Sequence, residues 1–306
     1  MTKITHQSSG VFVISATPFS ENGSLDLHST ESLIEFYLQK QVTGITILGM
    51  MGEAPKLSGA ETMTFMQHVL KIVDQRVPVV VGVSQPGIDN LVQLSHTAMD
   101  SGAAGVMIAP PPTIKHEQAL YQYYATCMQK LGAAVPVCYQ DFPLATNVHI
   151  SVPMLAKLFA DFEQLVMLKH EDWPGLNKIT QLREAVPEMS ILVGNGGIFL
   201  PQELERGADG AMTGFAFPEM LVEVWQLQRL GKLDLAEDIF EAYLPLVRHE
   251  QQPGFGLAVR KEVLRRRGAI SCALTRQPGP QMHKQDHLEL DRMLRRLDKR
   301  LTQLRS

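Results

Sequence analysis

Cysteine is scarce in this chain, and the few cysteines present form no recognisable pattern. Cys127, Cys138 and Cys272 are odd in number, far apart and set among apolar residues, without a CxxC pair. This spacing indicates neither a disulfide framework nor a structural zinc site. We therefore expect reduced thiols and no bound metal.

Long apolar runs and a strong net charge are also absent. No apolar run approaches the roughly 18 residues of a membrane span, and no leader-like segment precedes Gly10. A net charge of −4, with 20% charged and 45% hydrophobic residues, is ordinary for a globular protein and gives no overall nucleic-acid signature. We therefore expect a cytoplasmic protein whose partners include neither a membrane nor a nucleic acid.

Short β-rich runs alternate with helical patterns along most of the chain. Eight strand–helix units in roughly 220 residues predict an α/β fold, a (β/α)8 TIM barrel. The strands are predicted at Gly10–Ala16, Gly44–Leu48, Val77–Gly82, Gly105–Ala109, Val135–Gln140, the run that ends at Lys169, Ile191–Val193 and Gly210–Thr213. A doubly wound sheet is less favoured, because no GxGxxG motif follows the first strand.

Residues 232–306 are predicted to form an all-helical extension to a barrel of residues 1–231. Its helices are predicted at Leu233–His249, Leu257–Arg267 and His287–Leu304. Residues 260–306 contain 13 Lys and Arg against 5 Asp and Glu, a local charge of +8. A nucleic-acid patch would explain this charge, but we favour a helical face that pairs with the acidic barrel.

Lys169 is the most informative residue of the sequence. It ends the apolar run Leu165–Leu168, and a parallel strand of this composition is covered on both faces, so the lysine must snorkel or lose its water. Burial disfavours the charged amine, and a neutral amine can attack a ketone to give a Schiff base. Because active sites of such barrels form where strands end, Lys169 is our candidate nucleophile. The alternative is a lysine that merely ends the strand and points to solvent.

Two further features are predicted at the same end of the barrel as Lys169. Tyr139 ends the neighbouring strand, where its hydroxyl can relay protons during imine formation; alternatively, it is a strand residue with a satisfied hydroxyl. The loop Gly49-Met50-Met51-Gly52-Glu53 offers backbone N–H groups suited to a small carboxylate. Its alternative is a tight turn without a ligand.

Together, these motifs resemble the family of Schiff-base aldolases and lyases that contains dihydrodipicolinate synthase and N-acetylneuraminate lyase. The resemblance runs from residue 10 to about 265. It is carried by Thr17-Pro18-Phe19, residues 49–53 with Leu57-Ser58, Val137-Cys138-Tyr139 and Lys169 with Glu171, and more weakly by Gly194 and residues 210–214.

The resemblance implies a role for each matching residue. Lys169 would form the Schiff base, Tyr139 would be the general acid–base, and amides around Met50 and Met51 would hold the carboxylate of pyruvate or another 2-oxo acid. Gly52, Gly194 and Met212 complete the predicted substrate-binding set. We expect no cofactor, and a homo-oligomer, either a dimer or a homotetramer.

Several positions depart from the family pattern. Methionines replace the hydroxyl residues of the 49–53 loop, Pro110-Pro111-Pro112 replaces a tyrosine pair, and residues 141–147 lack the arginine that grips a second carboxylate. We therefore expect a pyruvate-dependent lyase that cleaves or forms a C–C bond to an aldehyde. The alternatives are 4-hydroxy-tetrahydrodipicolinate synthase, a 2-oxo acid dehydratase, or a barrel that binds a 2-oxo acid without turnover.

The residues near the predicted strand ends are largely apolar. They are Met50, Met51, Phe142, Leu144, Trp173 and Phe215. If they line the pocket rather than the core, the acceptor half of the substrate is less polar than a sugar acid. Strand alternation points His170 away from Lys169, so we expect it behind the barrel wall.

Overall fold

The computed structural model describes residues 2–305, which form a closed barrel of eight parallel strands surrounded by helices. Each strand pairs with the next in sequence, and the last pairs with the first. The strands are β1 (Gly10–Ile14), β2 (Gly44–Ile47), β3 (Val79–Gly82), β4 (Gly105–Ile108), β5 (Val137–Asp141), β6 (Leu165–His170), β7 (Ser190–Val193) and β8 (Gly210–Thr213). The predicted fold class is confirmed.

The helices follow the strands in the predicted order, and three of them form the extension. The helices around the barrel are α1 (Leu27–Gln39), α2 (Gly59–Val73), α3 (Ile88–Asp100), α4 (Glu117–Leu131), α5 (Pro143–Thr146), α6 (Val152–Asp161), α7 (Leu176–Ala185), α8 (Leu200–Glu205) and α9 (Pro218–Arg229). Those of the extension are α10 (Leu233–Glu250), α11 (Gly256–Arg266) and α12 (Lys284–Leu304). Local sequence explains where α2 begins. Ser58 Oγ accepts the N–H of Glu61, whose carboxylate accepts the N–H of Ser58, which forms a capping box.

Strand alternation divides the apolar side chains into two layers. One small cluster fills the barrel interior and includes Phe12, Cys138 and Met212. A larger cluster, which includes Tyr139 and Leu168, lies between the strands and the surrounding helices. Because successive residues of a strand point to opposite faces, this division determines which side chains can reach the mouth of the barrel.

The helical extension is tied to the barrel by ion pairs. Lys261 pairs with Glu53, Arg267 with Glu219 and Arg276 with Glu61. These contacts confirm that part of the basic charge of residues 260–306 pairs with acidic residues of the barrel. The division of the chain at residue 231 stays a prediction.

The structure also bears on thiols, metals and membranes. Cys127 and Cys138 are buried free thiols and Cys272 is a half-buried one. Residues 2–305 bring no group of three or more His, Cys, Asp or Glu side chains into an arrangement for holding a metal ion. Over the same residues, none of the helices combines the length and the apolar character needed to span a membrane.

Candidate active site

Lys169 lies inside the mouth of the barrel, near the C-terminal end of β6. Lys169 is 5% exposed, and it lines a pocket of about 370 Å³ that is built by the loops that follow the strands. Residues 250–257, from the end of α10 to the start of α11, close the other side of this pocket. The lysine is therefore buried but reachable, and the alternative that it points to bulk solvent is wrong.

Two other clefts within residues 2–305 are larger than this pocket. One of about 570 Å³ lies at the N-terminal ends of the strands beside Arg183, and one of about 840 Å³ lies between α2 and α3. The size of a cleft therefore does not identify the active site. Of these three clefts, the smallest contains Lys169, and in barrels of this type chemistry occurs at the C-terminal ends of the strands.

Glu171 is the carboxylate that contacts Lys169. Its Oε2 lies 3.0 Å from Lys169 Nζ and accepts a 2.8 Å hydrogen bond from Gln140 Nε2. Glu171 is 6% exposed and also lines the pocket. Alternation explains the contact, because residues 169 and 171 are two apart at the end of one strand and point to the same side.

Tyr139 is not in the pocket, contrary to the prediction. Its fully buried ring packs on Tyr124, with ring centroids 4.7 Å apart, in the layer between the barrel and the helices. The register places Gln140 opposite Lys169, so Gln140 rather than Tyr139 faces inward. Burial, with the nearby charge of Asp141, raises the pKa of the Tyr139 hydroxyl well above its ordinary value. That hydroxyl has no hydrogen-bond partner within residues 2–305.

The predicted carboxylate-binding loop forms a short 3-10 turn, Met50–Gly52. The N–H of Gly52 donates to Gly49 O and that of Glu53 to Met50 O, both at 3.0 Å. As in the first turn of any helix, the N–H groups of Met50 and Met51 are left outside the turn's own bonds. Both methionines line the pocket, whereas Gly52 is buried beside Thr17 and its N–H is already used, which corrects its predicted binding role.

Gly194 and Met212 do not line the pocket, and their substrate-binding roles stay predictions. Met212 is fully buried in the barrel interior. Gly194 lies directly behind Glu171, and a Cβ atom there would overlap the glutamate side chain. Thr213 and Gly196 line the pocket instead, joined by a 2.7 Å bond from Gly196 N to Thr213 Oγ1.

The polar residues around His170 form a separate network outside the pocket. His170 is buried, with Nδ1 3.5 Å from Asp141 Oδ2, and Lys178 Nζ lies 2.8 Å from the same oxygen. The expectation that His170 points away from Lys169 is confirmed. Asp141 therefore faces Lys178 rather than the pocket.

Only part of the apolar cluster predicted at the strand ends lies in the pocket. Met50, Met51, Phe142 and Leu144 line the pocket. Trp173 packs on Phe199 at the surface, and Phe215 belongs to the core.

A second cation, Arg260, borders the pocket from α11. Its guanidinium is buried and is held by Glu250, 3.0 Å from Arg260 Nε, and by the carbonyl oxygen of Gly214. Both cations at the pocket, Lys169 and Arg260, are thus paired with carboxylates.

Comparison with known proteins places the chain in a family. The model of the Dihydrodipicolinate synthetase family matches residues 7–297. The chain belongs to this family. It is therefore an enzyme of the class I, pyruvate-dependent aldolase and lyase type, as predicted.

Individual relatives differ in the reaction that they are named for. An L-2-keto-3-deoxyarabonate dehydratase from Azospirillum brasilense is 31% identical over 300 residues, covering 96% of both chains. A 4-hydroxy-tetrahydrodipicolinate synthase from Thermosipho africanus is 27% identical and covers 78% of this chain and 82% of its own. A crystal structure of a dihydrodipicolinate synthase from Rhodopseudomonas palustris matches with a TM-score of 0.94 and 44% identity, over 97% of this chain and 100% of its own.

Proposed function

We propose that this enzyme forms a Schiff base between Lys169 and C2 of a 2-oxo acid, and cleaves or forms the bond from C3 to an aldehyde carbon. One observation carries the proposal. The Lys169 amine is buried, opens onto a pocket and lies 3.0 Å from a carboxylate oxygen that can take its proton. In the degradative direction a 4-hydroxy-2-oxo acid would give pyruvate and an aldehyde.

The pocket offers a place for each half of such a substrate. The free N–H groups of Met50 and Met51 would bind the carboxylate next to the reacting ketone, as backbone amides do in other anion sites. The side chains of Phe142 and Leu144 lie on the wall of the same pocket. They suit an acceptor aldehyde of low polarity.

Dehydration of a 2-oxo acid is the second candidate, on the same enamine chemistry. It is supported by the dehydratase of Azospirillum brasilense, whose similarity extends over 96% of both chains. In this case the enamine would expel the hydroxyl at C4 as water instead of breaking the C3–C4 bond.

Synthase activity with a second, carboxylate-bearing substrate is disfavoured by the charges of the pocket. Residues 141–147 contain no Lys or Arg, and the charge of Arg260 is offset by Glu250, although Arg260 Nη1 has no partner within residues 2–305. A missing charge-assisted contact costs about 1.5–3 kcal/mol in binding. We expect pyruvate and aspartate semialdehyde to react slower, by orders of magnitude, than the best aldol substrate.

The assembly and the location are part of the proposal. The chain would act as a homo-oligomer of two or four copies, as the resemblance of its sequence implies. We propose the cytoplasm as its location, as expected from its composition. Leu144 is 69% exposed at the edge of the pocket, a side chain that a neighbouring copy could cover. Light scattering of the purified protein measures the number of copies directly.

Borohydride trapping tests the proposed function. Incubation with pyruvate and borohydride should add one reduced pyruvyl group at Lys169, seen by peptide mass spectrometry, and Lys169→Met should abolish it. Lys178, a half-buried lysine outside the pocket, serves as the internal control. A panel of 4-hydroxy-2-oxo acids, assayed for both pyruvate release and dehydration, then separates the two reactions. An adduct only on other lysines would rule out the mechanism.

A further inference from the structure

We propose that Glu171 is the catalytic acid–base of this enzyme and performs the proton transfers that a tyrosine was predicted to perform. This inference rests on the proposed function, because it requires a 2-oxo acid bound as an imine at Lys169. It adds the residue that moves the protons, which neither the comparisons nor the sequence motifs assign.

The position of Glu171 is fixed from several sides. Its backbone N–H donates to Asp141 O at 2.8 Å, and its carbonyl oxygen accepts from Asn195 Nδ2 at 3.2 Å. The amide of Gln140 holds Oε2 at 2.8 Å, and the lack of a side chain at Gly194 leaves room for the glutamate. The carboxylate is therefore preorganised next to the Lys169 amine.

The neighbouring groups are less suited to this task. Tyr139 packs on Tyr124 outside the barrel interior, and Gln140, which takes the inward position, carries an amide that neither gains nor loses protons near neutral pH. The Thr213 hydroxyl already accepts a hydrogen bond from Gly196 N. Glu171 combines a titratable group with direct contact to the nucleophile, the geometry that general acid–base catalysis requires.

The proton transfers balance with this single group. The Glu171 carboxylate takes a proton from the Lys169 ammonium, and the neutral amine adds to C2 of the 2-oxo acid. The resulting carboxylic acid protonates the former carbonyl oxygen, and the carboxylate then takes a second proton from the nitrogen of the adduct. It gives this proton to the hydroxyl of the carbinolamine, so that water leaves and an iminium ion forms. The carboxylate then removes a proton from C3 to give the enamine, or from the C4 hydroxyl when the C3–C4 bond breaks.

Exchange of the pyruvate methyl protons in D₂O measures this step without knowledge of the second substrate. The wild-type enzyme should replace these protons with deuterium, followed by NMR, and Lys169→Met should not. Glu171→Gln should slow exchange by roughly 10²–10⁴-fold, the usual scale for loss of a general base. Glu171→Asp, which keeps a carboxylate, should recover part of the rate.

Asp172→Asn is the matched control, because it makes the same chemical change one residue later. Asp172 bonds to Lys178 outside the pocket, so exchange should stay at the wild-type rate. Thermal melting of each variant establishes that it is folded.

A second pair of variants moves the carboxylate without removing it. Gly194→Ala places a Cβ in the space of the Glu171 side chain, whereas Gly59→Ala, in α2, meets nothing within 4 Å. We expect slow exchange in Gly194→Ala and the wild-type rate in Gly59→Ala.

The outcomes separate this inference from the proposed function. Neither adduct nor exchange in the wild type would overturn the proposed function and this inference with it. An adduct at Lys169 with exchange in Glu171→Gln within about threefold of the wild type would overturn the role of Glu171 alone. Equal losses in Asp172→Asn and Glu171→Gln would also overturn it.

Discussion

Two buried lysine–glutamate pairs lie near the C-terminal ends of the barrel strands, and they differ in what surrounds the amine. Lys261 lies 2.5 Å from Glu53, donates to Leu274 O at 2.8 Å and packs over the Phe19 ring, with its side chain 0% exposed. Lys169 lies 3.0 Å from Glu171 and faces a pocket. Burial lowers the pKa of Lys261, although Glu53 acts in the opposite direction. A lowered pKa thus does not by itself identify a catalytic lysine; access to the amine does.

The carboxylates of the two pairs, Glu53 and Glu171, also differ in whether a substrate can reach them. Glu53 is surrounded by donors, since its oxygens also accept from Lys56 Nζ and the N–H of Arg276, both at 2.9 Å. Glu171 borders the pocket, where a substrate can reach it. We therefore assign one pair to structure and the other to chemistry, and replacing each lysine by methionine tests this assignment.

The largest effect is expected from Lys169→Met. Turnover should fall by about 10⁴-fold or more, the scale lost when other enzymes lose their nucleophile. The free energy of unfolding should change less than in Lys261→Met, because the pocket lets water reach Glu171. Steady-state kinetics and urea unfolding of the two variants measure both effects. Catalysis that survives in Lys169→Met would contradict the catalytic role of Lys169.

Lys261→Met should instead destabilise the fold. It leaves Glu53 buried without its main cation, and breaking a buried pair costs about 3–5 kcal/mol. Lys56→Met is the matched control, because Lys56 binds the same carboxylate with a side chain that is 21% exposed, against 0% for Lys261, so water can partly replace it and the loss of stability should be smaller. Equal free energies of unfolding for the two variants would contradict the structural role of Lys261.

Glu203, in α8, shows what burial does to a carboxylate that lacks a cation. Burial raises the pKa of Glu203 to about 8, and its Oε2 has no partner within residues 2–305. Between the unfolded pKa of 4.5 and about 8 the folded state keeps a proton that the unfolded state releases, so stability falls as pH rises.

Glu203→Gln should remove this loss of stability. Its advantage over the wild type should grow by roughly 1.4 kcal/mol per pH unit within that window. Urea unfolding between about pH 5 and 8 measures it, with Glu205→Gln on the exposed side of the same helix as the control. A wild-type slope in Glu203→Gln would assign the pH dependence to other groups.

The smallest effect is expected from Tyr139→Phe. The hydroxyl lies outside the pocket without a partner in the described chain, and removing an unsatisfied buried group stabilises by about 1 kcal/mol. Turnover should stay within about twofold of the wild type. A fall of roughly 10²-fold or more would restore the acid–base role that the sequence suggested.

The sequence predicted the barrel, and it predicted a buried lysine at the C-terminal end of a strand. Eight apolar runs separated by helical spacing specify the topology, and a lysine at the end of such a run is unusual wherever it lies. The side of the strand to which a side chain points changes with every residue, and the motif that contains Tyr139 does not reveal its side. Counting alternate residues from Lys169 already puts Glu171 on its side, so this signal was present in the sequence.

The register between strands could not be predicted in the same way. Buried parallel strands are apolar on both faces, so their composition does not reveal which residues point inward. In β5 the pairing also shifts between Val137 and Cys138, which changes the alignment with β6. The contact between Gln140 and Glu171 follows from this alignment and appears only in three dimensions.

The Lys261–Glu53 pair has a consequence for how such a chain can be divided or inherited. It joins α11 to the loop that follows β2, and residues 250–257 close the pocket over Lys169. A gene that encoded only residues 1–231 would therefore yield a barrel with an open pocket, in which Glu53 keeps Lys56 but loses Lys261. We therefore expect that the helical extension cannot be detached from the barrel, and that recombination that exchanged it would have to exchange the loop around Glu53 as well.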